Sequence, residues 1–85
     1  MRPIAVLNEP QRVEVACDSH GLPTRIRLRK RWRVVARVVD VWRLDDEWWS
    51  GVAITRLYVR VLIDEGRPLT LFRNLDDATW WQQRY

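Results

Sequence analysis

Apolar and charged residues take turns along most of this chain. Between Leu22 and Leu44 the even positions carry Leu22, Ile26, Leu28, Trp32, Val34, Ala36, Val38, Trp42 and Leu44. The odd positions there are dominated by Arg25, Arg27, Arg29, Arg31, Arg33, Arg37 and Arg43. A period of two places one set on each face of a pleated ribbon, as a half-buried antiparallel sheet requires. A helix would scatter these arginines around its circumference, so the pattern predicts strands. The run is too long for one ordinary strand. A break at Arg29-Lys30-Arg31 divides it into a hairpin of residues 24–29 and 32–43. On this reading Trp32 and Trp42 share the apolar face and belong to the core.

The same reading extends in both directions. Gln11 to Cys17 alternates, with Val13, Val15 and Cys17 on one side, and Asp18-Ser19-His20-Gly21 follows as a turn. Ile4 to Leu7 reads as a short edge strand or arm within residues 1–10. Leu44-Asp45-Asp46-Glu47 reads as an exposed acidic connection into Trp48-Trp49. Residues 52–63 put Ala53, Thr55, Leu57, Val59, Val61 and Ile63 on one face, and Arg56, Tyr58 and Arg60 on the other. Asp64-Glu65-Gly66-Arg67 makes a hairpin loop with Gly66 at positive φ, and Pro68 opens the next strand. Asn74 to Ala78 is the last turn, and Thr79 to Tyr85 the closing strand. No window shows sustained apolar spacing of three and four. The expectation is therefore a single all-β domain over residues 1–85, with almost no helix. Its five to six antiparallel strands form a small barrel or a strongly bent sheet, and the hairpin spanning Glu47 to Arg73 is capped by Trp48 and Trp49.

Size and composition sharpen this picture only in places. A chain of 85 residues buries a modest core, so the 6 Trp, 2 Tyr and 1 Phe must supply much of it. Adjacent strand residues face opposite ways, so one member of each of Trp48-Trp49 and Trp80-Trp81 is expected outside the core. A single cysteine, Cys17, excludes an internal disulfide, and with one histidine, His20, it cannot complete a four-ligand zinc site. No cofactor or metal is expected, and neither a nucleophile–base pair nor a glycine-rich phosphate loop is present. The expectation is a non-enzyme. With no long apolar run, no membrane association is expected and a cytoplasmic location follows.

Net charge is +4, and all of the 15 basic residues except Lys30 are arginine. Arg25, Arg27, Arg29, Arg31 and Arg33 make the strongest candidate binding surface, since a guanidinium binds phosphate bidentately and stacks on rings. Two readings stand side by side. The arginines form a solvated sheet face neutralised by Asp45 to Glu47 or Asp76-Asp77, or they contact the backbone of DNA or RNA.

Glu47-Trp48-Trp49-Ser50-Gly51, followed by Thr55-Arg56-Leu57-Tyr58-Val59-Arg60-Val61, resembles the C-terminal segment of ImuB-type proteins. Those are catalytically inactive Y-family polymerase homologues of the bacterial mutasome. Leu71-Phe72-Arg73, Trp80-Trp81 with Tyr85, Arg33-Val34-Val35 and Asp40-Val41-Trp42-Arg43 continue the similarity, which a small stand-alone bacterial family shares over residues 11–85. Two positions depart from the pattern: Lys30 replaces a hairpin glycine, and Val59 replaces the second of two tyrosines. The resemblance implies a non-enzymatic accessory module in DNA-damage tolerance, binding a protein partner, with Trp48, Trp49, Arg56, Tyr58, Phe72 and Arg73 as its characteristic cluster. It supplies no catalytic residue and brings no polymerase domain. Nucleic-acid binding by the arginine face and a structural, homo-oligomer-forming role are the alternatives.

Overall fold

The computed structural model describes residues 9–47 and 53–83. Six strands follow one another: β1 (Gln11–Cys17), β2 (Pro23–Leu28), β3 (Arg31–Glu47), β4 (Ala53–Ile63), β5 (Arg67–Asn74) and β6 (Thr79–Gln82). Each is antiparallel to the next, and β6 pairs back onto β1, closing a barrel without a free edge strand. This is the all-β architecture that the alternation predicts. No helix among the described residues is long and apolar enough to cross a membrane. The reading of Ile4 to Leu7 as a strand, and of Trp48-Trp49 as a cap, falls outside the described residues.

Turn chemistry sets the strand ends. Asp18 Oδ1 accepts from the backbone N–H of His20 at 2.8 Å and of Leu22 at 3.0 Å, fixing the β1–β2 turn. These donors hold the Asp18 carboxyl below its usual range, the Leu22 N–H contributing most. The β2–β3 loop is only Arg29-Lys30, with φ of 49° and 67°. Positive φ at both positions is the requirement of a type I′ turn, which normally recruits Asn or Gly. Gly66, at φ 108°, closes the β4–β5 turn as expected, and its N–H donates to the Ile63 carbonyl at 3.0 Å.

The core lies inside the barrel. Ile26, Val59, Val61, Ile63, Leu69, Leu71 and Trp80 are buried, with Val13, Val15, Leu28, Val35, Val38 and Leu57 packed against them. The split of β4 into an inward odd set and an outward even set is as predicted. Directly opposed residues share a face, so the registers tell which residues point inward.

Those registers correct the reading of β3. Leu28 opposes Arg31, Arg27 opposes Trp32, Ile26 opposes Arg33 and Arg25 opposes Val34. A two-residue turn pairs even positions with odd ones, so the inward face changes parity across it. Trp32 and Val34, expected in the core, are therefore outside, 47% and 64% exposed. Two bulges, between Val35 and Arg37 and between Val38 and Asp40, then shift the phase again. As a result Val35, Val38 and Val41, three residues apart, oppose Ile63, Val61 and Val59. Trp42 also faces outward, 41% exposed, rather than lying in the core. Leu44 to Glu47 is not a connection but the end of β3, paired with Arg56 to Ala53.

Candidate nucleic-acid interface

Pairing stops short at one end of the barrel, and this creates a cleft. β1 pairs with β2 only through Glu14 to Cys17; its first residues, Gln11 to Val13, pair with β6 instead. β3 meets β4 only from Val35 onward. The tip of the β2–β3 hairpin, around Leu28 to Val34, is thus joined to neither neighbouring strand. Between this tip and the β1–β6 edge lies an open cavity of about 1390 Å³.

Its lining is strongly one-signed. Arg12, Arg27, Arg29, Lys30, Arg31, Arg33 and Arg67 surround it, and among the described residues Glu14 is the one carboxylate in the wall. Val13, Val15, Leu28 and Trp80 supply apolar surface within the same cleft. Glu14 pairs with Arg27 at 3.1 Å, and Asp64 reaches Arg33 at 3.6 Å. Arg12 lies close enough to Asp77 to help hold that carboxyl below its usual range, although hydrogen bonds from Thr79 contribute more. Arg29, Lys30, Arg31 and Arg67 have no carboxylate within ion-pair distance among the described residues. Among the described side chains, the arginines of this wall find acidic partners in Glu14 and Asp64, while Asp45, from the expected 45–47 segment, pairs with Arg43 at 3.0 Å instead.

The five arginines singled out by alternation do not share one face. Arg25 and Arg27 point outward from β2, Arg31 and Arg33 take inward-facing positions on β3, and Arg29 occupies the turn. The parity change at the turn is the reason. Four of them nevertheless line the cleft, because its wall wraps over the hairpin tip. Arg25 does not line it; its guanidinium lies 5.9 Å from the Trp32 ring. Sequence reasoning missed Arg12 and Arg67, which join the cleft only through barrel closure, a contact no local pattern carries. Trp32, also in the lining, belongs to the core only if parity carries through the turn, and it does not.

The second predicted cluster forms in part. Across β3 to β6 the outward residues Trp42, Tyr58, Phe72 and Trp81 stand directly opposite one another. Their rings sit 5.3, 5.4 and 6.4 Å apart in sequence along this ladder. Arg56 covers Phe72 at 4.4 Å and donates to the Tyr58 hydroxyl at 3.4 Å. Arg56, Tyr58 and Phe72, three members of that cluster, are thus brought together in a cross-strand stack. Arg73 is not with them: it opposes Leu57 and Trp80 on the inward face. Trp80 is buried at 8% exposure while Trp81 joins the outer ladder, so that pair divides as strand geometry requires. Trp48 and Trp49 lie outside the described residues.

Among the described residues, no group of three or more His, Cys, Asp or Glu side chains is placed to hold a metal ion. Cys17 is free, and desolvation pushes its thiol above the usual range against the opposing pull of Arg73. What the cleft can do is attract and hold an anion. Comparison of the chain with models of known families, with curated proteins and with solved structures finds no match.

Proposed function

We propose that this barrel is a non-enzymatic module that grips the phosphate backbone of a nucleic acid in the cleft beside its β2–β3 hairpin. The observation that carries the reading is the ratio of charges there: among the described residues, seven basic side chains against one carboxylate in the wall of one cavity. Like charges gathered this closely repel one another, and a polyanion relieves the repulsion. Arginine suits that ligand because its planar fork matches phosphate oxygens. The resemblance to the C-terminal segment of ImuB-type proteins supports the same setting, an accessory role in bacterial DNA-damage tolerance.

Salt tests the proposal. If Arg29, Lys30, Arg31 and Arg67 each contact one phosphate, affinity for single-stranded DNA should fall about 50-fold between roughly 50 and 200 mM salt. Fluorescence anisotropy of a labelled oligonucleotide measures this. A triple Arg29→Ala, Arg31→Ala, Arg67→Ala variant should bind weakly, with a salt effect of only about threefold. Absence of binding at low salt, or a variant that binds like the parent, overturns the proposal.

A second reading, docking of a protein partner, is favoured by Val34, Val39, Trp42 and Leu44, which leave exposed apolar surface along β3. Single apolar side chains on a surface are ordinary, but several along one strand are characteristic of contact surfaces. If copies of the chain cover that strip, sedimentation velocity will show an oligomer that Trp42→Arg dissociates. A monomer at all concentrations removes the self-association form of this reading.

A further inference from the structure

Resting on the phosphate-binding reading, we infer that the cleft selects single-stranded over duplex nucleic acid and that Trp32 is the platform on which one base stacks.

Phosphate alone does not account for the lining. An inorganic anion or the outside of a duplex would need only the guanidinium groups. Yet the same wall contains half-buried Val13, Val15 and Leu28, which gain nothing from a phosphate. A ligand that offers charge and flat apolar surface together matches both halves of the wall. A single strand does so, since its bases are unpaired and free to turn toward the protein. A duplex keeps its base faces stacked against one another and presents mainly phosphate and groove edges.

Trp32 is placed to receive such a base. It stands on the unsupported hairpin tip, is 47% exposed, and lines the cleft. Its sequence neighbours Arg31 and Arg33 point to the inward side of the tip, while Arg27, opposite Trp32 on its own face, lines the cleft with it, so a phosphate beside a stacked base would meet a cation. Across the hairpin, Arg27 opposes it in register, and the Arg25 guanidinium lies 5.9 Å from its ring. Trp80, the other tryptophan in the wall, is 8% exposed and serves the core instead. The parity change at Arg29-Lys30 matters here: without it Trp32 would point into the barrel and the tip would offer charge alone.

An acidic peptide with apolar side chains shares some of this chemistry. Arginine forks flanking a flat indole favour the nucleic acid, because every base has a π-face and every linkage a phosphate.

Four labelled probes of equal length separate the outcomes in anisotropy titrations at low salt: oligo-dT, an abasic oligonucleotide, a duplex, and a peptide of alternating Glu and Leu. The expected order is oligo-dT tightest, with abasic strand and duplex weaker. Trp32→Ala should weaken oligo-dT binding by about 5- to 150-fold while leaving abasic-strand affinity and the salt slope unchanged. Trp32→Phe should retain most of the affinity, which guards against a folding defect in the alanine variant. Leu75→Ala, at an exposed turn outside the cleft, should leave oligo-dT affinity unchanged. Equal binding of abasic and dT strands, tighter binding of the duplex, or indifference to Trp32→Ala overturns the stacking inference while leaving phosphate binding intact. Failure of every nucleic-acid probe, or binding of the Glu–Leu peptide alone, overturns both.

Discussion

Val34 and Val61 make a paired test of where the inside of the barrel lies, using one chemical change at two sites. Valine to threonine keeps β-branching and shape and exchanges a methyl for a hydroxyl. Val61 is fully buried in the core, opposite Val38 and Leu69. A hydroxyl buried there without a partner costs about 1–3 kcal/mol. In a domain of this size each kcal/mol corresponds to roughly 4–8 °C, so Val61→Thr should lower the melting temperature by about 5–20 °C. Val34 is 64% exposed on the outer face of the hairpin tip, where a hydroxyl reaches water. Its replacement should fall within about 0.5 kcal/mol of the parent, because threonine is itself a good strand former. Urea unfolding followed by circular dichroism gives both values. Equal losses at the two sites would mean that even positions of β3 line the core after all, and the parity change would be refuted.

That pair also marks the boundary of what the pattern reveals. The all-β architecture, the break within Arg29-Lys30-Arg31, the Gly66 turn and the faces of β4 are written locally, in alternation and turn residues, whereas closure into a barrel is not. The faces of β3 are not. Even and odd exchange roles at a two-residue turn, and bulges at Ala36 and Val39 exchange them again. Those bulges lie in a run, Val34 to Val41, where valine is frequent at both parities, so apolarity cannot announce them. The candidate site was legible in kind more than in membership. Arginine spacing pointed to the hairpin, and four of those five residues line the cleft. Arg12 and Arg67 arrive there from distant strands through closure of the barrel, and the outer aromatic ladder likewise depends on four strands falling into register.

Further expectations concern individual residues. Lys30→Gly should stabilise the protein by about 0.5–1 kcal/mol in urea unfolding, since glycine takes the 67° φ without the left-handed penalty; a loss of stability would contradict the I′ geometry. Arg56→Met keeps the apolar stem over Phe72 but removes the cation 4.4 Å from its ring, and should cost about 0.5–2 kcal/mol by the same assay. An unchanged midpoint would mean that the stack is incidental. Asp18 has a lowered carboxyl pKa in the folded state, so protons bind the unfolded chain first as pH falls. Its contribution is complete above the ordinary value of 3.8 and is lost as pH drops through the folded value. Asp18→Asn should therefore narrow its stability gap to the parent in that acid range. A gap constant with pH would contradict this.

Mapping amide chemical-shift changes during an oligo-dT titration asks most directly where a nucleic acid sits on this molecule. The account predicts that the largest changes fall on Arg27 to Arg33, Arg67 and the Gln11–Val13 edge, with Trp42, Tyr58 and Phe72 barely moving. Changes concentrated on the outer aromatic ladder, or absent everywhere at low salt, would contradict it.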